Sequence, residues 1–465
     1  MHDDLVYSAL SYRNTFLDDD HLVKRLYTKV SSYVEGDGLR AHLLRGGLGS
    51  LVVKVVSSLV NFVLVVLLAR TLGPGEYGVY TFALSLIMLL TIPAQLGLPQ
   101  LIVRETAKAH TRKNWALMIG LWRWSIKFIV FSTSTIILLG LLILWLGFSW
   151  IESMRWYTLL AGLLLVPFIA LANIQGATLR GLRYVVLGQL PEQILRPAIL
   201  TFLVLVLVWS GSAMSAVFVM GTHGAAAVGA FAIGMALLKC VHAPAYNRDL
   251  EPIYEGDYWR RTMLPLAMLA GLQLINSHAD ILMLGTLRSD REVGVYRVVV
   301  QMATLVVFGL SAFNQILQPY FARLYEQNDM LRLQKLATYS ARIILSIALP
   351  PVVIMVAAGK PLLGFFFGEG YSAGATSLAI LAIGQLVNAS MGSVGVLLNM
   401  TGHERDTMYG IGVAAGANVI LNIILIPRWG IEGAATSTAI TLFVWNFLLR
   451  RAVKRKLSIE TSALG

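Results

Sequence analysis

Apolar residues occur along this chain in long blocks that are separated by short polar stretches. A membrane-spanning helix needs roughly 20 mostly apolar residues, and a scan at that length predicts about twelve spans. Strands of an outer-membrane barrel are shorter, about 10 residues, and alternate apolar with polar positions, so the blocks indicate helices. The approximate cores of the predicted spans are residues 48–68, 79–98, 126–148, 157–179, 187–209, 213–238, 263–287, 293–317, 343–358, 373–398, 408–426 and 431–449.

The composition of the 465 residues supports this prediction, because 57% are hydrophobic, only 13% are charged and the mean hydropathy is +0.70. Such a chain is too apolar to form a soluble domain. The single cysteine, Cys240, excludes an intramolecular disulfide, and the sequence has no CxxC motif or His/Cys cluster that would indicate a metal site. We therefore expect an all-α polytopic membrane protein without a metal or a cofactor.

Lysine and arginine residues concentrate in alternate predicted loops. With the amino terminus inside, the cytoplasmic loops and tail hold about 19 of them and the external loops about 6, among them Arg70 and Arg155. This bias predicts two cytoplasmic termini. This topology, together with contact with anionic lipid headgroups, accounts for the net charge of +12, so we expect no nucleic-acid partner. The external loops are all short, which leaves little room for a catalytic domain outside the membrane.

The second half of the chain repeats short motifs of the first. DREVGVY at 290–296 resembles PGEYGVY at 74–80, with a spacing of 216 residues between Gly78 and Gly294, and EGAAT at 432–436 resembles HGAAA at 223–227. Such repeats are typical of secondary transporters, whose substrate site lies between the repeats. The predicted first and second six-helix halves are residues 46–239 and 263–450, joined by a cytoplasmic linker at 240–262. A cytoplasmic extension at 1–45 precedes them, and a basic cytoplasmic tail at 451–465 follows.

Charged residues inside predicted spans are the candidate substrate contacts, because an ionisable group in a membrane needs a partner or a purpose. Arg123 and Lys127 lie four residues apart on one helix face, where they could hold a pyrophosphate or extend to the lipid headgroups. Glu192 and Arg196 are also four apart, and each is next to a proline that should bend or interrupt the fifth span. Interrupted helices line cavities in transporters, although the two charges could also neutralise each other.

Asp280 and His278 in the seventh span are the candidate ion-coupling residues. A carboxylate there could bind a proton or a cation, and a histidine titrates near physiological pH. Their spacing of two residues places them on different helix faces, so we expect them to act separately. Asp280 could alternatively serve as a hydrogen-bond acceptor between helices.

The segment LLARTLGPGEYGVYTFALSLIMLLTIPAQLGLPQLIVRE at 67–105 resembles the start of the polysaccharide biosynthesis flippases, members of the multidrug/oligosaccharidyl-lipid/polysaccharide exporter superfamily. In that family a first helix ends in an LARxLGPxxYGxY-like turn. The motif DILMLG at 280–285, followed by the GVY turn, is similar to the family's seventh helix, and the resemblance covers about residues 46–450. The residues that match the turn are Leu68, Ala69, Arg70, Leu72, Gly73, Pro74, Tyr77, Gly78 and Tyr80.

The resemblance implies two six-helix halves with a MATE-like fold in the bacterial inner (plasma) membrane. It also implies a flippase, not an enzyme, that moves a polyprenyl-pyrophosphate-linked oligosaccharide by alternating access for cell-surface polysaccharides such as O-antigen or exopolysaccharide. Polysaccharide polymerases or export proteins would be its partners. The chain has no GxxxxGK[ST] loop for ATP, so the expected energy source is a proton gradient, a cation gradient or the membrane potential.

Other functions remain open at this point. A cation-coupled multidrug exporter of the same superfamily would share the fold, although its cavity should favour acidic groups. A non-transporting scaffold of a polysaccharide assembly complex would tolerate the loss of every intramembrane charge. An integral-membrane glycosyltransferase or polymerase would need a large external loop, which the sequence does not have.

Overall fold

The structure of the protein, a computed structural model, describes residues 39–242 and 251–463. Most of the predicted amino-terminal extension, part of the predicted linker and the last two residues lie outside these ranges. Up to residue 242 the helices are α1 Leu39–Gln95, α2 Leu98–Thr111, α3 Trp115–Leu146, α4 Ser153–Leu163, α5 Leu165–Gly181, α6 Val185–Leu190, a π-helical turn Pro191–Leu195, α7 Arg196–Trp209 and α8 Ala216–His242.

From residue 251 onward the helices are α9 Gly256–Leu287, α10 Asp290–Thr304, α11 Phe308–Glu326, α12 Met330–Ala357, α13 Gly359–Phe367, a 3-10 turn Glu369–Gly374, α14 Ala375–Met391, α15 Val394–Met400 and α16 Glu404–Leu457. The described residues from Leu51 onward form one compact unit. All the contacts discussed below lie within it.

Two of the helices are long enough to cross a membrane twice. In the described ranges, nine helical segments are apolar and long enough to span a membrane, and the bent pair α10 and α11 makes a tenth. α1 (57 residues) contains non-helical backbone at Gly73, and α16 (54 residues) contains it at Gly430. A hydrocarbon core about 30 Å thick needs only about 20 helical residues, so each of these two helices provides two passes. The expected all-α fold with about twelve spans is confirmed, and the orientation of the termini stays a prediction.

Large apolar side chains face outward along the spans. Phe131 and Trp145 on α3 are 73% and 72% exposed, and Trp209 at the end of α7 is 92% exposed. Exposed apolar surface on this scale is unfavourable in water but favourable in hydrocarbon or at the membrane interface. These faces therefore contact lipid.

The two GVY turns that repeat along the chain contact each other. A Cβ atom on Gly78 would lie 1.7 Å from the Asp290 carbonyl oxygen, and one on Gly294 would lie 2.0 Å from the Pro74 carbonyl oxygen. Only glycine permits this approach of two backbones. The repeated glycines therefore place α1 directly against α10, across the boundary between the predicted halves.

Polar contacts also join the two predicted halves beside the backbone contact at Gly78 and Gly294, which we name the glycine crossing. The Arg155 guanidinium on α4 forms an ion pair with the Asp290 carboxylate at 2.8 Å and donates a hydrogen bond of 2.9 Å to the Gly285 carbonyl. The Arg155 guanidinium also lies 5.2 Å from the centre of the Phe82 ring. Arg70 donates to the carbonyls of Phe365 and Phe366. The end of the molecule that the charge bias predicts to be external is thus held shut.

The chain after α16 folds back onto the second half of the chain. Ser458 adopts a left-handed conformation with φ 56°, and Ile459 is buried. The Glu460 backbone N–H donates to the Gln334 side chain on α12 at 2.8 Å. The Glu460 carboxylate accepts hydrogen bonds from Lys454 at 2.7 Å and from Arg450 at 2.9 Å, which lower its pKa below the usual value.

Candidate functional site

A cavity of about 220 Å³ lies among α1, α7, α8, α9 and α10. Its walls come from both predicted halves, since α1, α7 and α8 precede the linker and α9 and α10 follow it. We name it the charged cavity, because two arginines and a glutamate face it. Its ionisable lining residues, apart from tyrosines, are Glu192, Arg196, His223, His278 and Arg297.

The two prolines predicted to interrupt the fifth span shape one wall of the charged cavity. A proline has no N–H to donate to the preceding turn, and here the helix widens into the π-helical turn Pro191–Leu195. The turn leads directly into α7, and both Glu192 and Arg196 line the cavity. Their carboxylate and guanidinium form an ion pair at 3.1 Å, with the side chains only 18% and 17% exposed.

The ion pair does not use the whole Arg196 guanidinium. Its Nη1 atom is buried and has no hydrogen-bond partner among the described residues. Leaving such a donor unsatisfied is unfavourable, more so for a charged group than for a neutral one. An anionic ligand that reached this atom would satisfy it.

Arg297 was missed by the sequence reasoning. It follows directly after Tyr296, the last residue of the second GVY motif, and it is half-buried beside the Tyr77 side chain. Its counterpart in the first repeat, 216 residues earlier, is Thr81, which lines the same cavity. The repeat could have revealed it, since Arg297 is a charged residue inside a predicted span. With two guanidiniums and one carboxylate, the ionised side chains give the cavity a net charge of +1.

The predicted coupling residue His278 also lines the charged cavity, where its Nδ1 atom is buried and unpartnered within the described residues. In a second histidine, His223, the Nδ1 atom forms a hydrogen bond of 2.8 Å with the Tyr80 hydroxyl. Both residues of that pair are buried. Imidazole and phenol groups thus line the cavity wall beside the arginines.

Asp280 lies in a separate polar cluster between α9, α10 and α16. Its carboxylate accepts hydrogen bonds from Asn422 at 2.6 Å, Thr438 at 2.5 Å and Tyr296 at 2.9 Å. Asn422 also donates to the Asn418 side chain at 3.0 Å, and the Asn422 Oδ1 atom is buried with no partner in the described ranges. Asp280 and His278 are therefore in different environments, as their spacing suggested.

Arg123 and Lys127 stand apart from this arrangement. Both are exposed on the outer face of α3, next to the exposed apolar side chains of Ile126 and Val130. Neither lines the charged cavity. Their substrate-binding role stays a prediction, and their position favours the alternative of side chains that extend to the lipid headgroups.

Two further cavities lie near the charged cavity and are lined mainly by uncharged residues. One, of about 450 Å³, shares Met88 with the charged cavity. The other, of about 520 Å³, shares Gln273 and Ser277 with the 450 Å³ cavity. Shared lining residues thus link the charged cavity to the 450 Å³ cavity, and the 450 Å³ cavity to the 520 Å³ cavity.

A family model described as polysaccharide biosynthesis protein matches residues 43–325. The chain belongs to this family. A second model, MatE, matches residues 265–424. A curated relative, the probable flippase AglR of Haloferax volcanii, is 26% identical over 421 residues that cover 88% of this chain and 84% of the relative.

Two solved membrane-protein structures have the same fold as this family member. An inward-facing multidrug resistance MATE transporter matches with a TM-score of 0.69 and 12% identity, over 88% of this chain and 98% of that chain. The lipid II flippase MurJ in an inward closed conformation also matches with a TM-score of 0.69, at 14% identity, over 88% and 87% of the two chains. The chain is therefore a multi-pass membrane protein of polysaccharide biosynthesis with a MATE-like fold.

Proposed function

We propose that this family member is a flippase that moves a polyprenyl-pyrophosphate-linked oligosaccharide across the inner membrane. The observation that carries the proposal is the convergence of Arg196 and Arg297, from the two predicted halves, on one largely enclosed cavity. Guanidinium groups bind phosphate oxygens through paired, charge-assisted hydrogen bonds. The flippase function named for AglR and for MurJ agrees with this assignment.

The transport step follows from the arrangement of the two halves. The pyrophosphate enters from the end opposite the Arg155–Asp290 pair and binds Arg196 and Arg297. Binding to arginines of both halves stabilises their approach around the anion, which favours separation at the Arg155–Asp290 end. The lipid tail stays in the bilayer, so only the polar head requires an aqueous path. No bond is made or broken, so the protein needs no catalytic group.

Asp280 is the proposed coupling residue. Its carboxylate is enclosed by three hydrogen-bond donors, and Asn418 and Asn422 add amide oxygens in the same cluster. Oxygen ligands suit a proton or a hard cation such as Na⁺. Tyr296 in this cluster immediately precedes Arg297 on α10. Binding of a proton or a cation at Asp280 can therefore influence the charged cavity through α10.

The alternative functions differ from this proposal in what they require of the charged cavity. A multidrug exporter for cationic compounds needs acidic groups, whereas two guanidiniums and a single carboxylate face this cavity. A scaffold needs neither an unsatisfied Arg196 donor nor a transport pathway. The charge of the cavity therefore favours an anionic substrate.

The test uses purified protein in vesicles that carry a polyprenyl-pyrophosphate-linked oligosaccharide on one leaflet. A membrane-impermeant glycan-cleaving enzyme on the other side reports the translocated fraction. The proposal predicts protein-dependent cleavage that increases under an imposed proton or cation gradient. Cleavage equal to that of protein-free vesicles, with correctly inserted protein, would contradict it and favour the exporter or the scaffold.

A further inference from the structure

The charged cavity is too small for the whole head of the proposed substrate. Ligand pockets for molecules of drug size occupy about 300–1,000 Å³, whereas this cavity has about 220 Å³. It suits a pyrophosphate but not an oligosaccharide as well. The sugars of a lipid-linked glycan therefore need a second compartment close to the charged cavity.

The 520 Å³ cavity, which we name the amide chamber, has walls suited to sugars. None of the described residues that line it is an aspartate, glutamate, lysine, arginine or histidine, although many of them carry polar side chains. Two serines, a threonine and Trp445 accompany the amides. Its six carboxamide side chains are Gln273, Asn276, Asn314, Asn388, Asn399 and Asn446.

Several polar groups of the amide chamber lack partners. Four buried polar atoms of its lining residues have no hydrogen-bond partner among the described residues: Asn314 Oδ1, Ser393 Oγ, Thr407 Oγ1 and Trp445 Nε1. Other amides are already engaged, since Asn446 donates to Asn388 at 2.9 Å. Unsatisfied buried polar atoms are unfavourable, so a ligand that satisfies them gains affinity.

Sugar hydroxyls match this set of groups. Each hydroxyl can donate and accept, and each carboxamide offers two donors and an acceptor. The Trp445 ring adds a flat apolar surface for the C–H face of a sugar ring. An ionised sugar would enter the chamber without a counter-charge, which is strongly unfavourable. The lining therefore favours uncharged sugars over uronic acids or other acidic units.

The amide chamber is close enough to the charged cavity for one substrate to occupy both. Ser277 and His278, which are consecutive on α9, line the amide chamber and the charged cavity, respectively. The 450 Å³ cavity links the two compartments, since it shares Met88 with the charged cavity and Gln273 and Ser277 with the amide chamber. A glycan attached to a pyrophosphate at Arg196 and Arg297 can therefore reach the chamber through the 450 Å³ cavity.

We infer that the amide chamber is a binding site for uncharged sugar units of the lipid-linked glycan. This inference rests on the proposed flippase function. It assigns the two parts of the substrate to two cavities. The charged cavity binds the pyrophosphate that all substrates share, whereas the amide chamber recognises the glycan.

The test compares the binding of two ligands to the full-length protein in nanodiscs. One is polyprenyl pyrophosphate without sugar, and the other is the same lipid with a neutral trisaccharide. We expect the wild type to bind the glycan-bearing lipid at least about tenfold more tightly, since a few hydrogen bonds of about 1 kcal/mol each give such a ratio. Asn399→Ala and Asn314→Leu should each remove much of this advantage and leave binding of the sugar-free lipid unchanged.

Matched variants separate the possible outcomes. Gln318→Leu, an exposed amide one turn from Asn314 on α11, should retain the wild-type ratio. Arg196→Gln should weaken the binding of both lipids equally.

Equal affinity of the wild type for the two lipids, or equal weakening of both by Asn399→Ala, would overturn the chamber assignment alone. Absence of binding for both lipids would overturn the proposed function and this inference with it. Because Asn399 is exposed, its truncation should not impair folding, and a thermal unfolding scan checks this.

Discussion

The Arg155 guanidinium and the Asp290 carboxylate form an ion pair at 2.8 Å across the boundary between the predicted halves of the transporter. The two side chains are 22% and 15% exposed, so water screens the pair only partly. Asp290 lies in the turn whose backbone contacts Gly78. The ion pair and the glycine crossing thus form one closure, which must separate for this end of the pathway to open.

Breaking this ion pair should open the closed end. We expect Arg155→Ala to destabilise the closed state by about 2 kcal/mol, a shift of roughly 30-fold in the ratio of closed to open molecules. A cysteine at Asn61 in the charged cavity, in a Cys240→Ser background, reports opening through its reaction with a membrane-impermeant maleimide added from the Arg155 side. Arg291→Ala, an exposed neighbour of Asp290, is the matched control. Unchanged labelling in Arg155→Ala would show that the pair does not hold the end closed.

The glycine crossing predicts a specific intolerance of side chains. Gly78→Ala and Gly294→Ala should each destabilise the protein by about 3 kcal/mol, because the added Cβ meets backbone that cannot rotate away. Gly412→Ala is the control, since a Cβ there has no neighbour within 4 Å. That variant should be neutral or stabilising by about 0.5–1 kcal/mol. Thermal unfolding in detergent measures all three, and equal stability of Gly78→Ala and Gly412→Ala would refute the close contact.

Asp280 should be required for coupling but not for substrate binding. Asp280→Asn removes the negative charge and keeps the size of the side chain within its cluster of hydrogen bonds. We expect the variant to lose the acceleration of flipping by an imposed proton or cation gradient and to retain the wild-type affinity for polyprenyl pyrophosphate. Gradient-driven flipping at the wild-type rate would instead assign Asp280 to helix packing, the alternative that the sequence left open.

The fold-back of the carboxyl-terminal segment should depend on pH. Hydrogen bonds from Lys454 and Arg450 lower the pKa of Glu460 in the folded protein, so its contribution to stability is present above the usual glutamate range. That contribution is lost as the pH falls through the lowered pKa, since protonation removes the charge that the two cations bind. Digestion by carboxypeptidase at graded pH should accelerate as the pH falls below the usual glutamate range. Glu460→Gln should be digested quickly at every pH, and a pH profile identical to the wild type would exclude this role.

Much of the fold could be predicted from local sequence, because span length and hydropathy are properties of consecutive residues. The kinks at Gly73 and Gly430 and the π-helical turn after Pro191 also have local causes. The candidate site could be predicted only in part. Glu192 and Arg196 were found because prolines surround them. The role of Arg155, which the sequence assigned to a short external loop, depends on contacts with Asp290 and Gly285 more than 100 residues away along the chain.

Arg297 and the amide chamber show why the rest was missed. Arg297 and Arg196 line one cavity only because two helices that are distant in sequence meet there, and a single sequence does not reveal that meeting. Asparagine and glutamine residues in spans are commonly packing contacts between helices, so no single amide in the sequence indicated a site. Their convergence around one cavity becomes visible only when α9, α11, α14, α15 and α16 are assembled.

The most direct test of the central claim measures flipping of the lipid-linked oligosaccharide in vesicles by Arg196→Gln, Arg297→Gln and Arg261→Gln at equal protein abundance. Arg261 is exposed near the start of α9 and lies outside all three cavities, so it controls for the loss of one positive charge. The account predicts that the two cavity variants each flip at least about tenfold more slowly than the wild type, since each loses a charged hydrogen bond to the pyrophosphate. Arg261→Gln should flip at the wild-type rate. Equal rates in all three variants would contradict the assignment of the charged cavity to the substrate.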